Sequence, residues 1–254
     1  FSETSLENLK EVELDFSNFT HNTQLFFFPN NNVEVTPKEI IVHQRGDTAF
    51  NHYVWEENVL KHNFKPLPDM FKLTCLDKEN NLYDIDVLDC KSSPIFGYVI
   101  NTSRLHWRKE MEERFEDNPE EAKAYAEKHR FCINGEGLTE DEIREQKQNL
   151  ANKIFAIGYM LHRFKSPSRA WAPQAMDNKI GENGECNGRS GKSFLFKTLS
   201  LFMKSVKLSG RNPKLMDNPH VFDQVNVHTD FVLVDDCAQY LSMGLFSDII
   251  TSDM

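Results

Sequence analysis

Gly191, Lys192 and Ser193 open the part of this 254-residue chain whose side chains are best suited to chemistry. Phe194, Leu195, Leu199 and Phe202 follow at helical spacing, so a helix starts here and its first amides point at an anion. Each residue type has a use there. Glycine lets backbone amides approach phosphate oxygens, a lysine reaches the β- and γ-phosphates, and a serine hydroxyl can ligate Mg2+. Asn187, Gly188, Arg189 and Ser190 precede the turn as candidate backbone donors, with Gly188 adding flexibility. The full pattern G-x-x-x-x-G-K-[ST] has a glycine five residues before Gly191, where this chain has Cys186. A second element lies downstream. Phe231–Val234 is a short apolar run ending in Asp235 and Asp236, and Asp235 follows Lys192 by 43 residues. A buried strand tipped with carboxylates beside a glycine-rich turn is an arrangement that binds a nucleotide with its Mg2+. The intervening "VKLSG" supplies a further strand. The plainer alternatives are a surface lysine in a glycine-rich turn and an acidic pair capping the helix after a strand.

These residues need a scaffold, and the composition allows one. Charged residues make up 27% and hydrophobic ones 39%, an ordinary globular balance that argues against wholesale disorder. Twenty phenylalanines add material for packed cores. No apolar run approaches the roughly 20 residues that span a bilayer, and no signal peptide is visible, so no membrane partner is expected. Cys75, Cys90, Cys132, Cys186 and Cys237 are odd in number and widely spaced, which fits a reducing cytosol better than a disulfide scaffold. The net charge of −10 is unevenly spread. Glu110 to Glu145 holds 13 acids against 5 bases and reads as solvated helix faces. Arg189 to Lys214 holds 7 bases and no acids, a candidate phosphate or nucleic-acid surface. The start at Phe1 and the polar end "ITSDM" suggest a piece of a longer protein.

Along the chain, "SLENLKEV" reads as a short helix. "LFFF", "VEVT" and "EIIV" read as strands around the turn "PNNN". "FKLTC" and "YDIDV" form a hairpin with Phe71, Leu73 and Cys75 facing the same way as Tyr83, Ile85 and Val87. After Pro94 the period turns helical. "SPIFGYVINTSRLHWRKEMEERF" reads as one long helix and "PEEAKAYAEKH" as another, opened by Pro119. Thr139 and Glu142 form a capping box for a helix striped by Ile143, Leu150, Ile154, Ile157, Leu161 and Phe164. "KSPSR" is a linker, and no internal repeat is visible. The fold class is α/β. The expected divisions are a strand-rich module at 1–93, a helical module at 94–168 and an α/β core at 169–254.

"GECNGRSGKSF", "LSGRNPKLMDNPHVFDQV" and "LVDDC" resemble the helicase part of phage- and plasmid-type primase-helicases, superfamily 3 enzymes of the AAA+ class. "YVINTSRLHWRKE" and "IFAIGYMLHRFKSPSRAWAPQAMDNKIGENGE" are similar to the segment preceding the ATPase there, so the resemblance covers residues 94–254 well. It implies an N-terminal mixed strand and helical-bundle module followed by a partial P-loop (AAA+/RecA-like) core. It implies ATP and Mg2+ as cofactors, DNA as partner, a hexameric ring, and a bacterial host cytoplasm. Lys192 would be the phosphate lysine, Ser193 and Asp235 the Mg2+ ligands, and Asp236 the residue that orients the attacking water. Arg211, on a loop in the basic block, is a candidate contact to DNA or a neighbouring subunit. "WAPQAMD" is the expected strand before the phosphate loop. The family's sensor residue and arginine finger would follow Met254, so this piece alone is expected to hydrolyse ATP poorly.

Other constellations are weaker. Asp84 and Asp86 share a strand face and could hold a divalent metal as in primases, but the wet face of a hairpin is the simpler reading. No histidine pairs with a cysteine at zinc spacing, and His220 and His228 read as caps or packing groups. Arg104, Trp107 and Arg108 read as helix packing. Two other functions stay open: a P-loop NTPase of another class, such as a kinase or packaging motor, and a non-catalytic oligomerisation or DNA-loading module in residues 1–165.

Overall fold

Alternation and helical periodicity both resolve into short elements of mixed α and β type. The computed structural model describes residues 13–115, 117–166, 168, 171–176, 191–212, 215, 218, 220–226 and 228–237. The "SLENLKEV" helix lies outside them. The chain divides into two compact units, Phe1–Lys65 with His162–Ser166, and Pro66–Leu161 with Pro167–Met254. Both divisions expected from composition, after 93 and after 168, therefore fall within the second unit.

In the first unit, Gln24–Phe27 (β1), Asn31–Val35 (β2) and Ile40–Gln44 (β3) form an antiparallel meander. Leu25 and Phe27 of β1 are buried on one face, and Val33 of β2, which pairs with Phe26, is buried on the other. Phe50 meets the Phe27 ring at 6.2 Å, and Phe64 meets Phe28 at 5.3 Å. Asn30 locks the Phe64 backbone in both directions, donating to its carbonyl at 2.9 Å and accepting its amide at 2.7 Å. "YVWEENVL" contributes only a single 3-10 turn at Glu56–Asn58.

In the second unit, Phe71–Asp77 (β4) and Leu82–Val87 (β5) form the expected hairpin, with Leu73 opposite Ile85. Its apolar face is covered only in part. Ile85 is fully buried, whereas Leu73 and Cys75 are exposed, because Glu140–Leu161 (α3) lies along β5. The α3 capping box forms as expected: the Thr139 amide donates to Glu142 at 2.7 Å and the Glu142 amide to the Thr139 hydroxyl at 3.3 Å. Pro94–Asn101 (α1) is capped by the Ser93 hydroxyl, and Pro119–Lys128 (α2) by Asn118. Phe96, Val99 and Ile100 of α1 pack with Ile85, Ile133 and Leu150 as the core.

The single long helix expected after Pro94 is corrected by the structure. α1 stops at Asn101, and a separate π-helical turn runs over Arg108–Glu113. Side chains explain the break. The Ser103 hydroxyl donates back to the Val99 carbonyl at 2.7 Å, and Arg104 turns inward to pair with the buried Glu110. Arg104 also stacks over Trp107 at 4.3 Å, which is packing of the kind expected for this cluster.

Lys192–Leu199 (α4), Ser205–Ser209 (β6) and Phe231–Asp235 (β7) follow the helices. β6 and β7 pair in parallel, with Ser209 beside Asp235. The strand expected over "WAPQAMD" is absent from its described part, since residues 171–176 have no regular secondary structure. Pro173 and the lack of β-branched residues account for this. Among the described residues, no helix is long and apolar enough to cross a membrane.

Candidate functional site

Gly191 sets the geometry. It precedes α4 with φ +83°, a left-handed conformation that glycine adopts without cost. A Cβ at this position would also collide with the Tyr98 hydroxyl. The Gly191 carbonyl accepts the Tyr98 hydroxyl at 2.5 Å and the Phe194 amide at 2.9 Å, which closes the first turn of α4. That turn has no side-chain cap and no acidic residue of its own. Lys192 is the first residue of α4 and is half-buried.

Asp235 ends β7, and both of its oxygens are engaged. The Ser193 hydroxyl donates to Oδ1 at 2.8 Å, and Lys207 Nζ lies 2.7 Å from Oδ2. The parallel register explains the lysine: Lys207 lies two residues before Ser209, the partner of Asp235, and so shares its face of the sheet. The Lys207 ammonium, then the Ser193 hydroxyl, holds the Asp235 carboxyl below its ordinary range. The Asp235 carbonyl accepts the Gly210 amide at 2.8 Å. A Cβ on Gly210 would stand 2.6 Å from Cys237 Cα, so only glycine lets the two backbones approach this closely. Asp236 turns out of the strand at φ +58° and meets Arg211 Nε at 2.7 Å, both side chains being exposed.

The structure thus brings together Ser193 with Asp235, and Arg211 with Asp236. Asn187, Gly188, Arg189, Ser190 and Cys186 lie outside the described residues. Two neighbours escaped the sequence reading. Lys207 could have been found by assuming that "VKLSG" pairs in parallel with the acid-tipped strand. Tyr98 gives no local signal, because it is one of several apolar residues on α1.

Hard oxygen ligands suit Mg2+, which usually takes one or two protein oxygens together with water and substrate phosphates rather than a full protein cage. Ser193 and Asp235 fit that donor set. Among the described residues there is no cluster of three or more His, Cys, Asp or Glu side chains that could enclose a metal. Asp84 and Asp86 instead face Lys147, at 2.8 and 3.9 Å. His220 caps locally on Asp223 at 3.0 Å. A polar cavity near Lys204, Gln224 and His228 sits at the start of β6, the end of the strand away from Asp235. No protein family, curated protein or solved structure matches the chain.

Proposed function

We propose that the Gly191–Ser193 turn and Asp235 form the nucleotide site of a P-loop ATPase that takes ATP with Mg2+. The observation that carries this reading is the 2.8 Å bond from Ser193 to Asp235, which joins the start of a helix to the C-terminal end of a parallel strand. Ligands of open α/β sheets bind at that strand end. In this reading the Lys192 ammonium neutralises the β- and γ-phosphates, and the amides at the head of α4 and over Asn187–Ser190 receive phosphate oxygens. Ser193 and Asp235 would hold Mg2+, which would offset the negative charge of the phosphates. Asp236 orients the attacking water once Arg211 turns to another anion.

The larger assignment follows from the resemblance: the ATP-dependent DNA helicase part of a replicative primase-helicase, assembling as a hexameric ring on DNA. The basic block from Arg189 to Lys214 supports a DNA-facing or subunit-facing role for Arg211.

Calorimetry of Mg·ATP against the chain and against Lys192→Ala tests the site. Binding to the parent with a loss of about tenfold or more in the variant supports the reading. Equal heats in both, or none in either, sinks it.

A further inference from the structure

We infer that Tyr98 is a positioning residue for the phosphate-binding end of α4, an inference that rests on the nucleotide reading above. Tyr98 belongs to α1, whose neighbouring residues Phe96, Val99 and Ile100 are among the most buried of the second unit. Its backbone is therefore held by the core. Its hydroxyl donates to the Gly191 carbonyl at 2.5 Å, and its ring meets Phe194 edge-on at 4.8 Å. Leu195, one residue further along α4, packs on the same core.

The consequence comes from the peptide bond itself. The Gly191 carbonyl and the Lys192 N–H lie in one plane and point in opposite directions. A donor that fixes the carbonyl on the α1 side fixes the Lys192 amide on the other side, toward the head of the helix. Glycine is the residue whose backbone could most easily rotate that plane, since both signs of φ are open to it. Tyr98 restrains that rotation together with the Phe194 amide of α4, which donates to the same carbonyl at 2.9 Å. The same hydroxyl excludes any side chain at position 191. Tyr98 thus pre-orders the Lys192 backbone amide that the nucleotide would otherwise order at a cost in affinity.

The test compares Tyr98→Phe with the parent, with Lys192→Ala and with Phe194→Leu. Tyr98→Phe keeps the ring and removes the donor. Its expected effect is a three- to tenfold weaker affinity (about the worth of one hydrogen bond) for both Mg·ATP and Mg·tripolyphosphate, a probe that carries the phosphates without a base. Without any ligand, the Lys192 and Ser193 amides should exchange with solvent faster in this variant. The Leu150 amide in α3 should not, which separates a local release from general loosening. Phe194→Leu retains the hydroxyl bond and should bind within about twofold of the parent. Unchanged affinity and exchange in Tyr98→Phe, with Lys192→Ala still defective, overturns the role of Tyr98 and leaves the nucleotide site standing. Equal losses in Tyr98→Phe and Phe194→Leu also overturn it, because ring packing would then set the turn. A parent chain that binds neither probe removes the nucleotide reading and this inference together.

Discussion

Glu110 is a carboxylate almost wholly removed from water, and its surroundings show how the chain tolerates it. Arg104 pairs with it, and the Tyr125 hydroxyl donates to Oε1 at 2.8 Å. Tyr125 in turn accepts the Glu136 amide at 3.0 Å, and Gly135 packs so closely that a Cβ there would stand 2.6 Å from the Glu110 carboxyl carbon. Burial first, and the Glu110 acceptor second, push the Tyr125 phenol up to about 12. The protonated phenol is favoured by folding, so its contribution is complete below pH 10 and is lost as the pH rises toward 12. Glu110→Ala leaves Arg104 without its partner and should cost about 3–5 kcal/mol in urea unfolding. Tyr125→Phe should leave most of the stability at neutral pH and flatten the decline above pH 10. An unchanged alkaline decline in that variant would assign it to another group. This cluster also shows where residue types mislead. Glu110 opens the acidic stretch that reads as solvated helix faces, and only tertiary structure discloses that it points inward to Arg104.

The long helix α3 was legible because several local signals agree. Its capping box and acidic first turn specify start and polarity, and Leu150, Ile154 and Ile157 of the apolar stripe reach the core, whereas Phe164 lies beyond its end at Leu161 and the buried Gln146 lies outside the stripe. The single helix expected over residues 93–115 breaks for the opposite reason. Its periodicity continues through Thr102 and Ser103, whose side chains compete for backbone groups, and periodicity does not register that competition. β6 and β7 were legible as strands, and their shared ladder explains Lys207, but a parallel partner leaves no mark in the local sequence. The α3 cap carries a testable consequence. Lys109 first, and the Thr139 amide second, lower the Glu142 carboxyl to about 2. The ionised form is favoured by folding, so this contribution is present above the ordinary carboxylate value of 4.5 and lost as the pH falls toward 2. Lys109→Met should therefore shrink the difference in unfolding midpoint between pH 5 and pH 3. Thr139→Ala should lower stability by about 1 kcal/mol through the lost cap. A Lys109→Met chain with the parent's acid profile would count against this origin of the shift.

At the scale of the molecule, the two compact units are built differently. The first unit is a meander of neighbouring strands, and the second joins a local hairpin to a helix distant in sequence, where Lys147 meets Asp84 and Gln148 meets the Tyr83 amide. The parallel β6–β7 pair is different. Its two strands are joined through residues 210–230, and no tight turn can connect strands that run the same way. Closing such a connection costs chain entropy before any contact repays it, so parallel pairing is slow in refolding. In pulsed hydrogen exchange, amides of α3 should be protected before those of β7, and simultaneous protection would refute that order. Ser193 and Asp235 lie on opposite sides of this late step. During synthesis the chain presents the Ser193 hydroxyl well before the Asp235 carboxylate, so on the proposed reading a triphosphate arriving early would meet only half of its seat.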